Sequence, residues 1–344
     1  MQAMIAMSGG VDSSVAALLT MQQGFTCIGA TMHLHDNTCA VDAAAVAARL
    51  GIPFHEFDCT DEFRQQVMDK FVRCYEEGLT PNPCIDCNRT MKFGRLLDIA
   101  EQMDCRYIVT GHYARIHQDP TSGRYLLSKA LDPAKDQSYF LCRLTQHQMA
   151  HTLFPLGGLT KAEARQIAEE NGFINAKKKD SQDICFVPDG DYMSFLTAHT
   201  GKSYEEGSFL NQDGKIIGRH RGAVAYTRGQ RKGLGLAMGE PVYVCSKDMA
   251  NNTVTVGPDN ALFNSTLLAN DWNWISISQL SSPLRIKAKA RSRMIEQDAT
   301  VYPESNGFAR VVFDEPQRAI TPGQAVVLYD GDLVVGGGTI IEAI

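Results

Sequence analysis

The heptapeptide Ser8-Gly9-Gly10-Val11-Asp12-Ser13-Ser14 stands between an apolar run, Ala3-Met4-Ile5-Ala6-Met7, and a segment with Val15, Ala16, Leu18 and Leu19 at helical spacing. That order commits the start of the chain to strand, loop and helix. Two glycines let the backbone approach a ligand closely, and Ser13 and Ser14 add hydroxyls beside the free N–H groups of a helix N-terminus. The predicted product is a phosphate cradle. It is not a Walker A loop, because the lysine of GxxxxGK[ST] is missing, and it is not GxGxxG. A plain glycine turn with a serine cap would explain a bare Ser-Gly-Gly, but not the whole heptapeptide in this position.

The same strand–helix alternation continues for about 110 residues. Residues 27–32 are apolar and residues 43–50 are alanine-rich and helical. Phe63, Val67, Phe71 and Tyr75 recur every four residues, as do Phe93, Leu97 and, beside them, Leu96 and Ala100. Tyr107-Ile108-Val109 reads as a buried strand. Such alternation predicts a parallel sheet with helices on both faces. Thr160 with Glu163 three residues on is a capping box, and the helix it opens should close near Gly172. Another helix is expected after Gly190. Beyond about residue 200 short Val/Ile/Leu runs alternate with Gly, Asn-Gly and Asp-Gly turns, which predicts β structure in two small units. The expected domains are an α/β domain over 1–198, a β-rich adaptor over 199–262 and a C-terminal β-barrel over 263–344.

The length of 344 residues suits two or three domains. A net charge of −6 excludes a protein that grips nucleic acid through bulk positive charge, though not one with a local basic patch. No run of about 18 apolar residues is present, so no membrane partner is expected. Met1 and the residues after it lack the basic n-region of a signal peptide, and a cytoplasmic location is expected. Ten cysteines in such a chain should be thiols, metal ligands or catalytic groups rather than disulfides.

The heptapeptide resembles the signature of the PP-loop, or N-type, ATP pyrophosphatases. Within them the chain resembles the MnmA family of tRNA-specific 2-thiouridylases over nearly its whole length. The resemblance runs through Thr80-Pro81-Asn82-Pro83, Cys87-Asn88, Lys92-Phe93, Thr110-Gly111-His112-Tyr113-Ala114-Arg115, residues 135–141, residues 180–186 and residues 226–235. It implies an adenine-nucleotide-hydrolase-like α/β fold and a defined reaction. ATP adenylates the C2 carbonyl oxygen of the wobble uridine of a tRNA, pyrophosphate leaves, and a sulfur nucleophile displaces AMP. The chemistry is sensible, because a urea-like oxygen is a poor leaving group and AMP a good one. ATP and Mg²⁺ are the implied cofactors. Ala6, Met7, Ser8, Gly9, Gly10, Val11, Asp12 and Ser13 should hold the phosphates, with Asp12 touching Mg²⁺. Met32 and Gly111 should meet the adenine or ribose at C-terminal strand ends. A tRNA with a wobble uridine and a sulfur donor are the implied partners. The donor would be a cysteine desulfurase, another persulfide carrier or inorganic sulfide.

By the same resemblance Cys87 is a nucleophile or resolving thiol, and Cys185 carries the persulfide. Lys177, Lys178 and Lys179 precede Cys185 closely enough to favour its thiolate. One position departs from the family. The usual Asn-Pro-Asp is Asn82-Pro83-Cys84 here, so the acid/base role of that Asp has no carrier. Cys84, Cys87 and Cys185 supply the three thiolates that a 4Fe–4S cluster with one open iron needs. A persulfide relay and a cluster that holds hydrosulfide both remain open at this point. The other cysteines, Cys27, Cys39, Cys59, Cys74, Cys105, Cys142 and Cys245, read as small buried hydrophobes. His33, His35 and Cys39 read as an ordinary loop rather than a metal site.

Arg285, Lys287, Lys289, Arg291 and Arg293 fall on alternate residues. On one strand they would form a cationic rail with members about 6.6 Å apart, suited to a phosphate backbone. Arg219, Arg221 and residues 228–232 offer a second basic patch. The resemblance places Lys135, Asp136, Gln137, Arg291 and Ser292 at the tRNA, and Asn82, Pro83 and Cys84 beside a flipped-out uridine. Two competing readings are another PP-loop ligase acting on a small-molecule carbonyl, and a non-catalytic tRNA-binding module. Neither needs the cysteine trio together with the intact loop.

Overall fold

The computed structural model describes residues 1–35, 40–176, 178, 184–187 and 190–344. Readings that involve Cys39, Lys177, Lys179 or residues 180–183 lie outside the described residues.

Four strands, β1 (Gln2–Ala6), β2 (Thr26–His33), β3 (Phe54–Asp58) and β4 (Tyr107–Val109), form a parallel sheet with the short strand Thr152–Leu153, in the order β3-β2-β1-β4-(Thr152–Leu153). Side chains alternate across it as a strand requires. Met4 and Ile108 face one helical layer with Phe63, Phe71 and Phe93; Ala3, Ile5 and Val109 face the other with Val15 and Val46. The strands are added in one direction from β1 through β3 and in the opposite direction from β4, so the crevice at the C-terminal ends of β1 and β4 is a topological switch point. Helix α1 (Val11–Gln22) leaves β1 there, and the Thr110–Arg115 stretch leaves β4 there.

Two helices depart from regular α geometry. Thr60–Phe63 runs through a π segment, Arg64–Met68, into Asp69–Glu76 without leaving helical dihedrals. The four-residue spacing of Phe63, Val67, Phe71 and Tyr75 outruns the 3.6-residue turn, and the π segment takes up the excess so that all four stay buried. Pro83–Cys87, the π segment Asn88–Arg95 and Leu96–Gln102 likewise form one continuous helix. π segments concentrate at functional positions, and this one directly follows Cys87.

The Thr160 capping box is present, and its helix ends just before Gly172, which has a left-handed φ of 62°. The helix Tyr192–Thr200 straddles the expected boundary at 198. A four-stranded sheet then forms from Gly207–Leu210, Ile216–His220, Tyr243–Asp248 and Thr253–Gly257, around Phe209, Val244 and Val254. The C-terminal strands Phe263–Trp274, Ala309–Arg318, Gln297–Pro303, Leu284–Lys289, Ala325–Asp330 and Leu333–Ala343 pair in that order, and the last pairs back onto the first. They form a closed six-stranded barrel. The expected architecture of α/β domain, β-rich unit and barrel is therefore present. Among the described residues no helix is long and apolar enough to cross a membrane.

The barrel buttresses the first domain. Tyr139 Oη donates to Ala325 O at 2.8 Å, and Thr80 N donates to Pro322 O at 2.9 Å. Gln324 Nε2 donates to Thr80 O at 2.8 Å. The segment that leads into the cysteine-bearing helix is thus gripped by a barrel loop.

Candidate active site

The heptapeptide lies at the switch point. Gly9 adopts φ 69°, a region that costs an L side chain energy, and a Cβ there would stand 2.9 Å from Asp42 Cβ. Ser13 and Ser14 hydroxyls both donate to Gly10 O, at 3.0 and 3.1 Å, while Ser8 N donates to Ser13 Oγ at 3.3 Å. The loop is wound on its own serines, and helix α1 begins with no side chain capping its N–H groups. Those donors are open to an anion. Gly111 meets the loop from β4. A Cβ on it would come within 2.7 Å of Asp12 C and 2.8 Å of Ser13 N. Met32 is half-buried near the C-terminal end of β2. The structure therefore brings the loop and Gly111 together at one crevice.

Asp12 differs in its surroundings from the expectation. Both carboxylate oxygens accept from Lys161 Nζ at 2.8 Å, and Oδ1 also accepts from Tyr113 Oη at 2.9 Å. An ammonium already matches its charge. The residues present do not form a ready Mg²⁺ site, which wants octahedral oxygen ligands from carboxylates and phosphates. Sequence reasoning also missed two supports of the loop. Asn175 Nδ2 donates to Gly9 O at 3.1 Å and to Ser14 Oγ at 2.9 Å, and Lys178 Nζ pairs with Asp42 at 2.7 Å. These partners are more than 130 residues away in sequence, and no local pattern marks them.

The three singled-out cysteines gather around Lys92. Cys84 and Cys185 are exposed, while Cys87 is 8 % exposed. Burial pushes Cys87 up to about 12; Lys92 pulls it back, and Cys185 and Cys84 push it further. Burial also raises Cys84, opposed by Lys92. Burial raises Cys185, with Cys84 adding and Lys92 opposing. Each thiol therefore feels one shared cation, and Cys185 feels Cys84. Among the described residues the sulfurs do not form a tight donor set with every atom within 4.8 Å. His112 lies in the same region. Burial holds its imidazole well below the ordinary range, helped by Lys92, and its Nδ1 bonds Thr110 Oγ1 at 2.7 Å. The helix that carries Cys84 and Cys87 is anchored by Lys70–Asp86 at 2.6 Å and by Asn88 Nδ2 donating to Phe140 O at 3.0 Å. Asn82 caps the helix without a side-chain bond, and Pro83 at its first position is buried.

The cationic rail is corrected. Ile286, Ala288 and Ala290 point into the barrel as the alternation requires, but the strand ends at Lys289. Arg285 pairs with Asp314, and Lys289 lies over the Tyr329 ring. Arg291 turns inward. Its guanidinium donates to Ala319 O, Thr321 Oγ1 and Arg228 O, so it ties the barrel to the central unit. Ser292 sits in the turn after the strand. Asp136 and Gln137 are also committed inward: Asp136 accepts from Ala130 N and Ser138, and Gln137 Oε1 accepts from Tyr113 N. Lys287 and Arg293 remain exposed. His33, the last residue of β2, lies 2.7 Å from Glu56 through its Nε2. Of the other cysteines, Cys27, Cys59, Cys105, Cys142 and Cys245 are buried, while Cys74 is half-buried.

Family comparisons agree with this layout. Residues 1–189 match the family model described as tRNA methyl transferase HUP domain, residues 193–258 the tRNA methyl transferase PRC-barrel domain, and residues 264–340 the Aminomethyltransferase beta-barrel domain. The chain is 48% identical over 352 residues to the tRNA-specific 2-thiouridylase MnmA of Acetivibrio thermocellus, which covers 98% of each chain. It is 48% identical over 359 residues to the MnmA of Symbiobacterium thermophilum, covering 99% of this chain and 92% of that one. It is also similar to a 4-thiouridine synthetase–RNA complex with bound ATP, at 18% identity and a TM-score of 0.37, over 58% of this chain and 50% of that one.

Proposed function

Since the chain belongs to the MnmA family of tRNA-specific 2-thiouridylases, we propose that it replaces the C2 oxygen of a tRNA wobble uridine with sulfur at the expense of ATP. One observation supports this above the rest: a phosphate cradle and a lysine-centred thiol trio occupy the same domain. ATP enters as the magnesium complex. Its phosphates take the uncapped N–H groups of α1, and Gly9 and Gly111 keep side chains out of the crevice. Attack of the C2 oxygen on the α-phosphorus releases pyrophosphate and leaves the oxygen as an AMP ester. Asp12 stays with Lys161, and no step is assigned to a metal bound by it.

The sulfur step falls to the cysteines. A terminal persulfide on the exposed Cys185 attacks C2, AMP departs, and the base is left joined to Cys185 through a disulfide. A second thiol then attacks Cys185 Sγ, releases the thiocarbonyl and forms a protein disulfide that a cellular reductant must reset. Cys87 or Cys84 fills that place, and Lys92 stabilises the thiolate that attacks. A second reading is favoured by Cys84 standing with the other two. Their donor chemistry fits a 4Fe–4S cluster with one iron free of protein ligands. Cys84, Cys87 and Cys185 would hold it, and it would supply a Lewis-acidic iron able to carry hydrosulfide. The persulfide route needs a desulfurase or persulfide carrier as partner, and the other needs inorganic sulfide. Cysteines kept reduced, as both routes require, suit a reducing cytosol.

The test is incubation of the protein with ATP, Mg²⁺, a sulfur source and bulk tRNA, followed by mass spectrometry of the digested nucleosides. 2-Thiouridine at the wobble position is the expected product. Pyrophosphate release without thiolation would instead support a small-molecule ligase. Neither activity would support a binding module. Iron and sulfide assays on anaerobically purified protein separate the two sulfur routes.

A further inference from the structure

We propose that Glu101, His147 and His151 form a binding site for a borderline first-row divalent cation, with Zn²⁺ as the representative ligand. A ring nitrogen from each histidine and a carboxylate oxygen of Glu101 all lie within 4.8 Å of one another. Two separate helices bring them there. Glu101 is on Leu96–Gln102, and His147 is on Gln146–Ala150 with His151 just past its end. The histidines are four residues apart, a spacing that puts two imidazoles on one helical face, and their ring centroids are 4.6 Å apart.

The details suit a metal. His147 Nε2 and Glu101 Oε1 are 3.3 Å apart. With metal–ligand bonds of about 2.0–2.1 Å, tetrahedral ligands stand roughly 3.3–3.4 Å from each other. His151 Nδ1 lies 2.9 Å from the carbonyl oxygen of His147. A carbonyl only accepts, so Nδ1 carries the proton and the neutral ring keeps a bare lone pair on Nε2. Such a carbonyl contact is the usual way in which a metal-binding imidazole is oriented. Two nitrogens and one carboxylate oxygen select an imidazole-preferring cation over Mg²⁺ or Ca²⁺. Glu101 and His147 are exposed, which leaves the fourth position to water.

The site is separate from the thiols, yet it touches the same helix. Glu101 lies near the end of the continuous helix that begins at Pro83, and Gln148 Nε2 donates to Arg89 O in its π segment at 3.0 Å. A bound cation would staple that helix at its far end.

The test must read position, because the cysteines also attract zinc. Crystals of the full chain are soaked in ZnCl₂ and anomalous diffraction is recorded on both sides of the zinc edge. The expected result is a peak bonded to Glu101, His147 and His151. Isothermal titration with ZnCl₂ should then show one binding event weakened at least roughly 10–100-fold in His147→Gln and in Glu101→Gln, with folding unchanged in both. Anomalous peaks only at cysteines, or titrations identical in wild type and both variants, would overturn the proposal.

Discussion

Replacing Gly111 with alanine probes the point where the two halves of the nucleotide crevice meet. Gly111 does not have a left-handed φ, so the added methyl acts through contact alone. It would lie 2.7 Å from Asp12 C and 2.8 Å from Ser13 N, whereas ordinary contact begins at 3.4 Å. Both neighbours are backbone at the start of α1, so no side chain can rotate away. The loop must yield by about 0.7 Å, and overpacking of this kind costs about 1–3 kcal/mol. A misplacement near 1 Å at a reacting centre costs on the order of 100-fold in rate. We expect Gly111→Ala to lower ATP-dependent pyrophosphate release by roughly 10–100-fold, assayed with tRNA at saturating ATP. Gly158→Ala is the control, because nothing lies within 4 Å of its added methyl. A folded Gly111→Ala protein that turns over at the wild-type rate would refute the placement of this crevice as the ATP site.

Other consequences follow from the same geometry. Lys92→Met removes the cation that opposes the upward shift of all three thiols, so Cys185 should react with iodoacetamide several-fold more slowly at pH 8; an unchanged rate would remove Lys92 from the mechanism. Lys287→Ala should weaken tRNA binding and flatten its dependence on salt, whereas Arg291→Ala should act mainly by loosening the barrel from the central unit, read as a lower melting temperature. Burial raises Cys27 and Cys142 to about 11 and Cys87 to about 12, from an ordinary 9.0. Their folded-state values lie above the unfolded one, so the stability they contribute is complete below about pH 9 and is lost as pH climbs toward 11–12. Urea midpoints should therefore fall between pH 8 and 10.5, and less steeply for Cys142→Ala.

The fold was readable where a local rule decides it. Period-four hydrophobics marked the helix through Phe63 and Tyr75, a capping box fixed Thr160, and turn residues cut the C-terminal half into strands. The π segments were not readable, because they emerge from how a helix packs rather than from its own pattern. At the site, the heptapeptide declared itself, and the family resemblance pointed to Cys87 and Cys185. Asn175 and Lys161 did not, since an asparagine and a lysine near a helix have no local signature and act only once 149 or more residues of chain fold back onto Ser14 and Asp12. The rail failed for a related reason. Alternation correctly predicted which face is buried, but not that the strand would stop at Lys289 and let Arg291 turn inward.

In the proposed reaction ATP activates the C2 oxygen of the target uridine and sulfur then displaces it. This can be tested by following that oxygen. A tRNA carrying ¹⁸O at C2 of the wobble uridine is incubated with protein, MgATP and a sulfur source, and the nucleotides are analysed by mass spectrometry. One ¹⁸O in AMP for each 2-thiouridine formed is the expected result. Thiolation with unlabelled AMP, and the label in water instead, would contradict it.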